Sequence, residues 1–335
     1  MAERATLSSV AERAGTSRQT VSNVLNAPER VRPETRDRVR AAIEATGYRP
    51  HVAARQLRTR RSMNVGLRLM PLQDGINGSI LDAFVHALTE NAAHAGYRLV
   101  LFSAPDDDGE IAAYDELLET ADLDAFVLTS THHGDRRTRW LLDHGVAFAT
   151  FGRPWSAGTD PRDSVHHWVD VDGRLGAAAA TRHLRDLGHE RIGFLGWPAG
   201  SGAGDERRAG WRDVLGAAAV LDEAVTDGVR QGSDAAARLL AAGATALVCA
   251  SDSLALGAFH RTTAVVGFDD TPVAAAVGLS SVAQPVEAAA AHVVAMLARA
   301  LGDPVPPVLP STPDRHVLLE PRLVVRDEPV SLAHP

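Results

Sequence analysis

The sequence predicts a small all-α helix-turn-helix headpiece followed by an α/β body of two doubly wound parallel-sheet lobes. Three observations lead there. Residues Thr6 to Asn26 have the residue spacing of two short helices crossing at a tight turn. Charge divides sharply along the 335 residues: the chain has no lysine, and residues 1–61 carry 13 Arg against six acidic side chains, whereas the other 274 carry 21 Arg against 36 Asp and Glu. From Met63 onward, apolar strand candidates alternate with helical stretches, pause in a Pro, Gly and Asp-rich loop (153–164), and start again. A basic head on an acidic body is the footprint of a phosphate-binding module joined to something that does not bind phosphate.

In the head, Ala11 removes bulk where two helices cross, Gly15 permits a left-handed turn residue, and Val21 fills the gap between them. Ser17 occupies an N-cap position, where its hydroxyl can accept an orphan N–H of the second helix. That helix offers Arg18, Gln19, Thr20, Ser22 and Asn23, whose donors and acceptors suit base edges in a major groove. An amphipathic helical hairpin with a polar face would share the pattern, and the charge division favours DNA. Pro33, then Val39, Ala42 and Ile43, then Gly47, mark a third helix from start to stop. Tyr48 to Ser62 is basic and holds one or two helical turns, Val52 to Arg58, too short to be stable alone in water. Two readings remain open for it. It is either a linker, or a hinge that becomes helical on DNA with Leu57 as a minor-groove wedge and Arg55, Arg58, Arg60 and Arg61 on phosphates.

The body reads as strand 64–70, helix 81–96, strand 97–103, helix 111–120, strand 124–130, helix 136–145 and strand 146–152. After the loop come VHHWVDVD, helix 174–188, strand 191–196, helix 206–218, helix 233–243, and strands 246–250 and 264–270. This rhythm belongs to open parallel sheets with helices on both faces, and two such lobes in tandem predict a cleft between them.

The head motifs, TL–VA–AG–S–QTVS–VLN, then VRPETRxRV, GYRP and AARQLRTRRS, span residues 6–62 and resemble the lactose and purine repressor family of bacterial regulators. The resemblance implies that Leu7 and Ser8 begin the first helix and that Arg18 and Gln19 lead the recognition helix into the groove. By the same matching, Ser17, Thr20, Ser22, Asn23, His51 and Arg58 contact bases or phosphates, and Ala54 with Leu57 forms the wedge. Ser9, Thr16, Asn23 and His51 stand where other residues are common, so the preferred DNA sequence is this chain's own. The body resembles the same family's sensor domain, itself related to periplasmic sugar-binding proteins, through HLRDLGHERIGFLG (183–196), RRAGW (207–211), SDSLALG (251–257), VVGFDDTP (265–272) and LVVRDE (323–328).

Carried over residue by residue, the resemblance assigns effector contact to Asp172, Arg207, Ser251 and Asp269. Carboxylates accept pairs of sugar hydroxyls, and arginine offers a planar fork of donors. Structural roles stay open for the same residues: Asp269 or Asp270 capping the next helix, Arg207 pairing with Glu206 or Asp205. The chain departs from the family in two places. DGINGSIL (74–81) carries no aromatic residue, leaving Ile80 or Leu81 as an aliphatic face, and only 13 residues (251–263) separate two strands, near the minimum for a parallel crossover.

The sequence shows no constellation for catalysis or metal binding. Cys249 in ALVCA reads as a buried small hydrophobe, and His132–His133 and His166–His167 read as exposed loop histidines without partners at metal spacing. Asp170–Asp172 fails as a calcium loop, and residues 196–204 read as a loop at the cleft edge rather than a phosphate cradle. No apolar run suits a membrane or a secretory signal, which places the protein in the cytoplasm.

The expected domains are a headpiece over 1–50, a hinge over 51–62 and an effector-binding domain over 63–330. Its first lobe would span about 63–160 plus 287–310, its second about 165–285 plus 315–330. The expected function is a DNA-binding regulator, a repressor, not an enzyme and without cofactor, acting on double-stranded DNA. Its operator affinity would respond to a small effector, a sugar or related metabolite. With no leucine heptad after LVVRDE, a homodimer on a near-palindromic operator is expected. A ligand-independent regulator, or an α/β binding protein with a degenerate headpiece, remain the alternatives.

Overall fold

A computed structural model describes residues 5–26, 30–48, 61–70, 79–120, 122–155, 160–262, 264–311 and 314–326. The chain divides into two compact units, 1–62 and 63–335.

The first unit packs α1 (Leu7–Arg13), α2 (Arg18–Asn26) and α3 (Pro33–Thr46) around Val10, Ala11, Val21, Val24, Val39 and Ala42. Thr6 and Ser9 cap α1 reciprocally, each side-chain oxygen taking the other's backbone N–H. Gly15 lies at φ 60° in the turn and Gly47 at φ 63° closes α3, as their positions predict. The expected hinge helix, with His51, Ala54, Leu57 and Arg58, lies outside the described residues.

The second unit carries two sheets of the same plan. The first contains β1 (Asn64–Leu69), β2 (Arg98–Ser103), β3 (Ala125–Leu128), β4 (Ala147–Phe151), β5 (His167–Val171) and β11 (His316–Leu319), in the order β11-β5-β4-β3-β1-β2. The second contains β6 (Ile192–Gly196), β7 (Asp222–Ala224), β8 (Ala246–Cys249), β9 (Val265–Asp269), β10 (Ser280–Ala283) and β12 (Arg322–Val324), in the order β12-β10-β9-β8-β6-β7. Around the first lie α4 (Ser79–Ala95), α5 (Asp107–Thr120) and α6 (Arg137–Asp143). Around the second lie α7 (Gly173–Asp186), α8 (Ala203–Leu215), α9 (Val229–Ala241), α10 (Asp252–Phe259) and α11 (Pro272–Ala276). The last long helix, α12 (Val286–Ala300), returns to pack on α4, β4 and β5 of the first lobe.

These sheets correct the expected lobe ranges. β5 and β11 pair with each other in the first sheet, so 167–171 and 316–319 leave the second lobe. The physical reason is that β5 extends the first sheet beside β4 before the chain crosses over, so the Pro- and Gly-rich loop is internal to a lobe and not its boundary. The second sheet is not wholly parallel, because β12 pairs antiparallel with β10 at its edge. Several helices start earlier than their apolar periodicity suggests: α5 at Asp107 rather than 111, α8 at Ala203 rather than 206, α9 at Val229 rather than 233. Their first turns hold acidic or small residues (Asp107 and Asp108, Ala203 and Gly204), which favour a helix N-terminus without marking an apolar face. α10 is short, eight residues, as the brief crossover requires. Among the described residues no helix is long and apolar enough to cross a membrane.

Candidate functional site

In the head, Ser17 Oγ accepts the Thr20 N–H at 3.1 Å and shares a 2.9 Å hydrogen bond with the Thr20 hydroxyl. Gln19 Nε2 donates to Asn23 Oδ1 at 3.1 Å, one helical turn along, which orients both amides on one face. Ser8, Ser17, Arg18 and Gln19 are exposed, while Leu7, Thr20, Ser22 and Asn23 are half-buried. With Val21 and Val24 buried beneath, α2 presents a polar face that its own core cannot use.

In the second unit, a cavity of about 360 Å³ opens between the two sheets at the carboxyl ends of their strands. The first lobe contributes Ile80, Leu81, Phe151, Trp155, Asp170 and the stretch Ser130 to His132. The second contributes Trp197, Ser201, Arg207, Asp227, Asp269 and Gln284.

Arg207 is the central cation. Its guanidinium lies 3.7 Å over the Phe268 ring and 5.2 Å from the Trp197 ring. It donates to the Ala250 carbonyl and comes within 3.7 Å of Asp269 Oδ1, while its buried Nε has no hydrogen-bond partner. Burial pulls its pKa down and the carboxylates of Asp269, Asp170, Asp227 and Asp252 oppose that pull. Gly173 leaves room for it, since a Cβ there would sit 3.2 Å from Arg207 Cγ. The pairing foreseen with Asp205 or Glu206 is not made: Arg207's carboxylate is Asp269.

Asp269 ends β9 at φ 113°, a costly conformation for a residue other than glycine, and accepts Gln284 Nε2 at 2.6 Å. Burial pushes its carboxyl up to about 7 against the pull of Arg207. Neither Asp269 nor Asp270 caps the next helix; Thr271 does, through Ala274 N–H. Below the cavity floor, fully buried Asp252 accepts Ser281 Oγ at 2.6 Å and Thr271 N–H at 2.7 Å, and burial pushes it up to about 6.

The other two sequence candidates sit behind the lining. Asp172 is the N-cap of α7, accepting Leu175 N–H at 2.8 Å, and Asp170 two residues earlier faces the cavity instead. Asp170 is held by Arg153 Nε at 2.6 Å. Ser251 caps α10 through Leu254 N–H and donates its hydroxyl to Asp227, which does line the cavity. Sequence reasoning also missed Trp155, Trp197 and Phe151, so the cleft has aromatic faces although DGINGSIL supplies none. An isolated tryptophan in the polar loop after β4, and another immediately after β6, were the available signals.

Asp107, His132 and Asp135 lie close enough to share a metal ion. Their charge is already met: Arg137 donates Nε and Nη2 to the two oxygens of Asp135 at 3.0 and 2.7 Å, and its Nε lies 3.6 Å from Asp107. The second histidine pair is not a loop pair on the surface. His166 is buried and stacked on Phe148 with ring centroids 5.2 Å apart. Cys249 is buried, and burial pushes its thiol well above the ordinary range.

Residues 6–51 match the family described as bacterial regulatory proteins, lacI family, and residues 181–327 match the periplasmic binding protein-like domain. The chain is 33% identical to the HTH-type transcriptional regulator CelR of Thermobifida fusca, over 97% of this chain and 98% of that one. Among solved structures, a LacI-family regulatory protein from Chloroflexus aggregans superposes with a TM-score of 0.70 at 28% identity, covering 80% of this chain and 98% of that chain. A transcriptional regulator CelR–cellobiose complex superposes with a TM-score of 0.66 at 28% identity, covering 97% and 100%.

Proposed function

Because the chain belongs to the lacI family of bacterial regulatory proteins, and so is a DNA-binding transcription regulator, we propose that it is a homodimeric repressor whose grip on a near-palindromic operator is set by a sugar in the inter-lobe cleft. The observation that carries the sugar reading is the pairing of aromatic faces, Trp155 and Trp197, with Arg207, Asp170 and Asp269 in one cavity. Ring faces take the C–H side of a sugar, while a guanidinium and carboxylates take its hydroxyls. That the related CelR was solved with cellobiose supports the same chemistry here.

On the DNA side, Arg18 and Gln19 read base edges; Ser17, Thr20, Ser22 and Asn23 fix the helix against bases and phosphates, and Leu7 with Ser8 sets its entry. Ala54 with Leu57 supplies the minor-groove wedge, and His51 and Arg58 contact bases or phosphates beside it. Two-fold protein symmetry calls for two half-sites. Effector and operator affinities are then reciprocally coupled.

The test is selection of sites from randomised duplexes, followed by titration of the selected site with and without cellobiose and a panel of mono- and disaccharides. A two-fold symmetric site whose affinity changes roughly 5- to 150-fold with one sugar is expected. A selected site indifferent to every sugar in the panel, together with no sugar raising the melting temperature, would overturn the sugar reading.

A further inference from the structure

Trp155 stands on the first lobe, in the segment between β4 and β5, yet its seat is on the second. Its indole N–H donates to Thr131 Oγ1 at 3.2 Å, and Arg153 lies 4.9 Å from the ring centroid on the same lobe. Across the cleft mouth is Gly202, at φ 70°, where a Cβ would clash with the indole carbons Cδ2, Cε2 and Cγ of Trp155. Only a bare backbone lets the indole lie so close.

Beside this seat, the His133 N–H donates to the Gly200 carbonyl at 3.4 Å and His133 Nε2 lies 3.8 Å from Asp205 Oδ2. Asp205 also accepts the N–H groups of Gly200 and Gly202, at 2.9 and 3.1 Å, holding the glycine loop in shape. The two lobes therefore meet at the mouth through an aromatic plate resting in a glycine notch.

We propose that Trp155 is a lobe-bridging lid and a specificity determinant of the cleft: seated on Gly202 it closes the mouth, and it retains ligands that offer a flat apolar ring face. The identity of the ligand rests on the sugar reading above; the lid does not. Because Trp155 both lines the cavity and touches the opposite lobe, a ring stacked on it adds buried area only while the lobes are together. An acyclic polyol with the same hydroxyls has no ring face and gains no such area.

Hydrogen exchange of the full-length protein tests this without assuming a ligand. The peptide covering 129–136 reports the inter-lobe His133 N–H, and the peptide covering 192–196 reports an intact second sheet. With no ligand, Trp155→Ala should speed exchange at 129–136 about tenfold and leave 192–196 unchanged. Gly202→Ala should do the same by unseating the indole, and adding it to Trp155→Ala should have little further effect. No change at 129–136 in either single variant, or equal acceleration of 192–196, overturns the lid.

Cellobiose and sorbitol then test selectivity. Cellobiose should slow exchange at 129–136 in the parent and much less in Trp155→Ala, with sorbitol inert in both. Equal protection by cellobiose with and without Trp155 overturns the specificity role while leaving the sugar reading intact. Loss of protection in the ligand-free variants, with cellobiose inert in the parent, counts against cellobiose as the sugar and supports the lid.

Discussion

The two lobes repeat one strand order but position the elements around their sheets by different means. The first buries charge. Glu110, almost fully enclosed, accepts Arg68 and Arg137 at 2.8 Å each on one oxygen and the Tyr114 hydroxyl at 2.7 Å on the other. Arg137 continues to Asp135 and to the carbonyl of Thr129, so the network fixes the loop that carries Ser130 to His132 into the cleft. The second lobe brings helix backbones into contact. A methyl on Gly257 would overlap the Val229 carbonyl, one on Gly232 the Leu254 carbonyl, and one on Gly210 the Arg174 carbonyl. Buried charge fixes direction, and glycine contact fixes distance. In the first lobe a loop must be aimed; in the second a short crossover helix must lie close to its neighbour.

The sharpest way to break this contrast is a pair of variants. Arg137→Met leaves Asp135 without its bidentate partner and should destabilise the second unit by about 3–5 kcal/mol, because it strands buried charge. Gly257→Ala, a single methyl with no charge change, should cost about 1–3 kcal/mol through forced separation of α9 and α10. Urea denaturation measures both. A small loss for Arg137→Met, or a neutral Gly257→Ala, would show that the two interiors are not built as the contacts imply.

Acid separates the lobes by sign. His166, in the first lobe, is pushed down to about 4 by burial, with His316 and His167 adding to the push. Its folded value lies below its unfolded one, so stability is complete above about pH 6.5 and is lost as pH falls towards 4, about 2 kcal/mol by pH 5. Asp269, in the second lobe, is pushed up to about 7 by burial. Its folded value lies above its unfolded one, so its contribution is present at low pH and lost as pH rises through 7. Acidification to pH 5 then restores that contribution. Asp252, raised to about 6, acts in the same direction. Peptide-resolved hydrogen exchange at pH 7 and 5, corrected for intrinsic rates, should show β4 losing protection while β9 gains it. His166→Phe should flatten the first response and Asp269→Asn the second. Changes of the same sign in both lobes would refute the assignment.

Much of the fold was legible because its signals are periodic. Ala11, Gly15 and Val21 sit where their spacing put them, and the strand–helix alternation marked β1 to β6, β8 and β9, while the short β7, β10, β11 and β12 were not assigned. The cleft was only half legible. Arg207 and Asp269 lie at strand or helix ends that meet in space, and both were found from the resemblance. Trp155, Asp227 and Gln284 come from loops after strands or before helices, where no periodicity marks a direction and only the sheet order decides what they face. The lobe boundary failed for the same reason: a Gly- and Pro-rich loop is a turn signal wherever it falls, and nothing local says whether the next strand joins the old sheet or begins a new one.

Asp170 and Asp172 show the limit at the scale of two residues. Both fall on the same side of an alternating strand, so parity cannot tell them apart. β5 ends at Val171 and α7 begins at Gly173, which turns the Asp172 carboxylate onto the Leu175 N–H and away from the cavity. Asp170, still inside the strand, keeps its carboxylate at the cleft, clamped by Arg153. Asp172→Ala should therefore cost about 1 kcal/mol of stability, the loss of one N-cap, and leave sugar affinity at 25 °C within twofold of the parent. Asp170→Asn should reverse that pattern, keeping the helix cap and losing affinity. Calorimetric titration beside a melting curve reads both quantities for each variant. If Asp172→Ala abolished binding while Asp170→Asn did not, the carboxylate that reaches the ligand would be the one the sequence singled out, and the second lobe's first helix would have to uncap to let it.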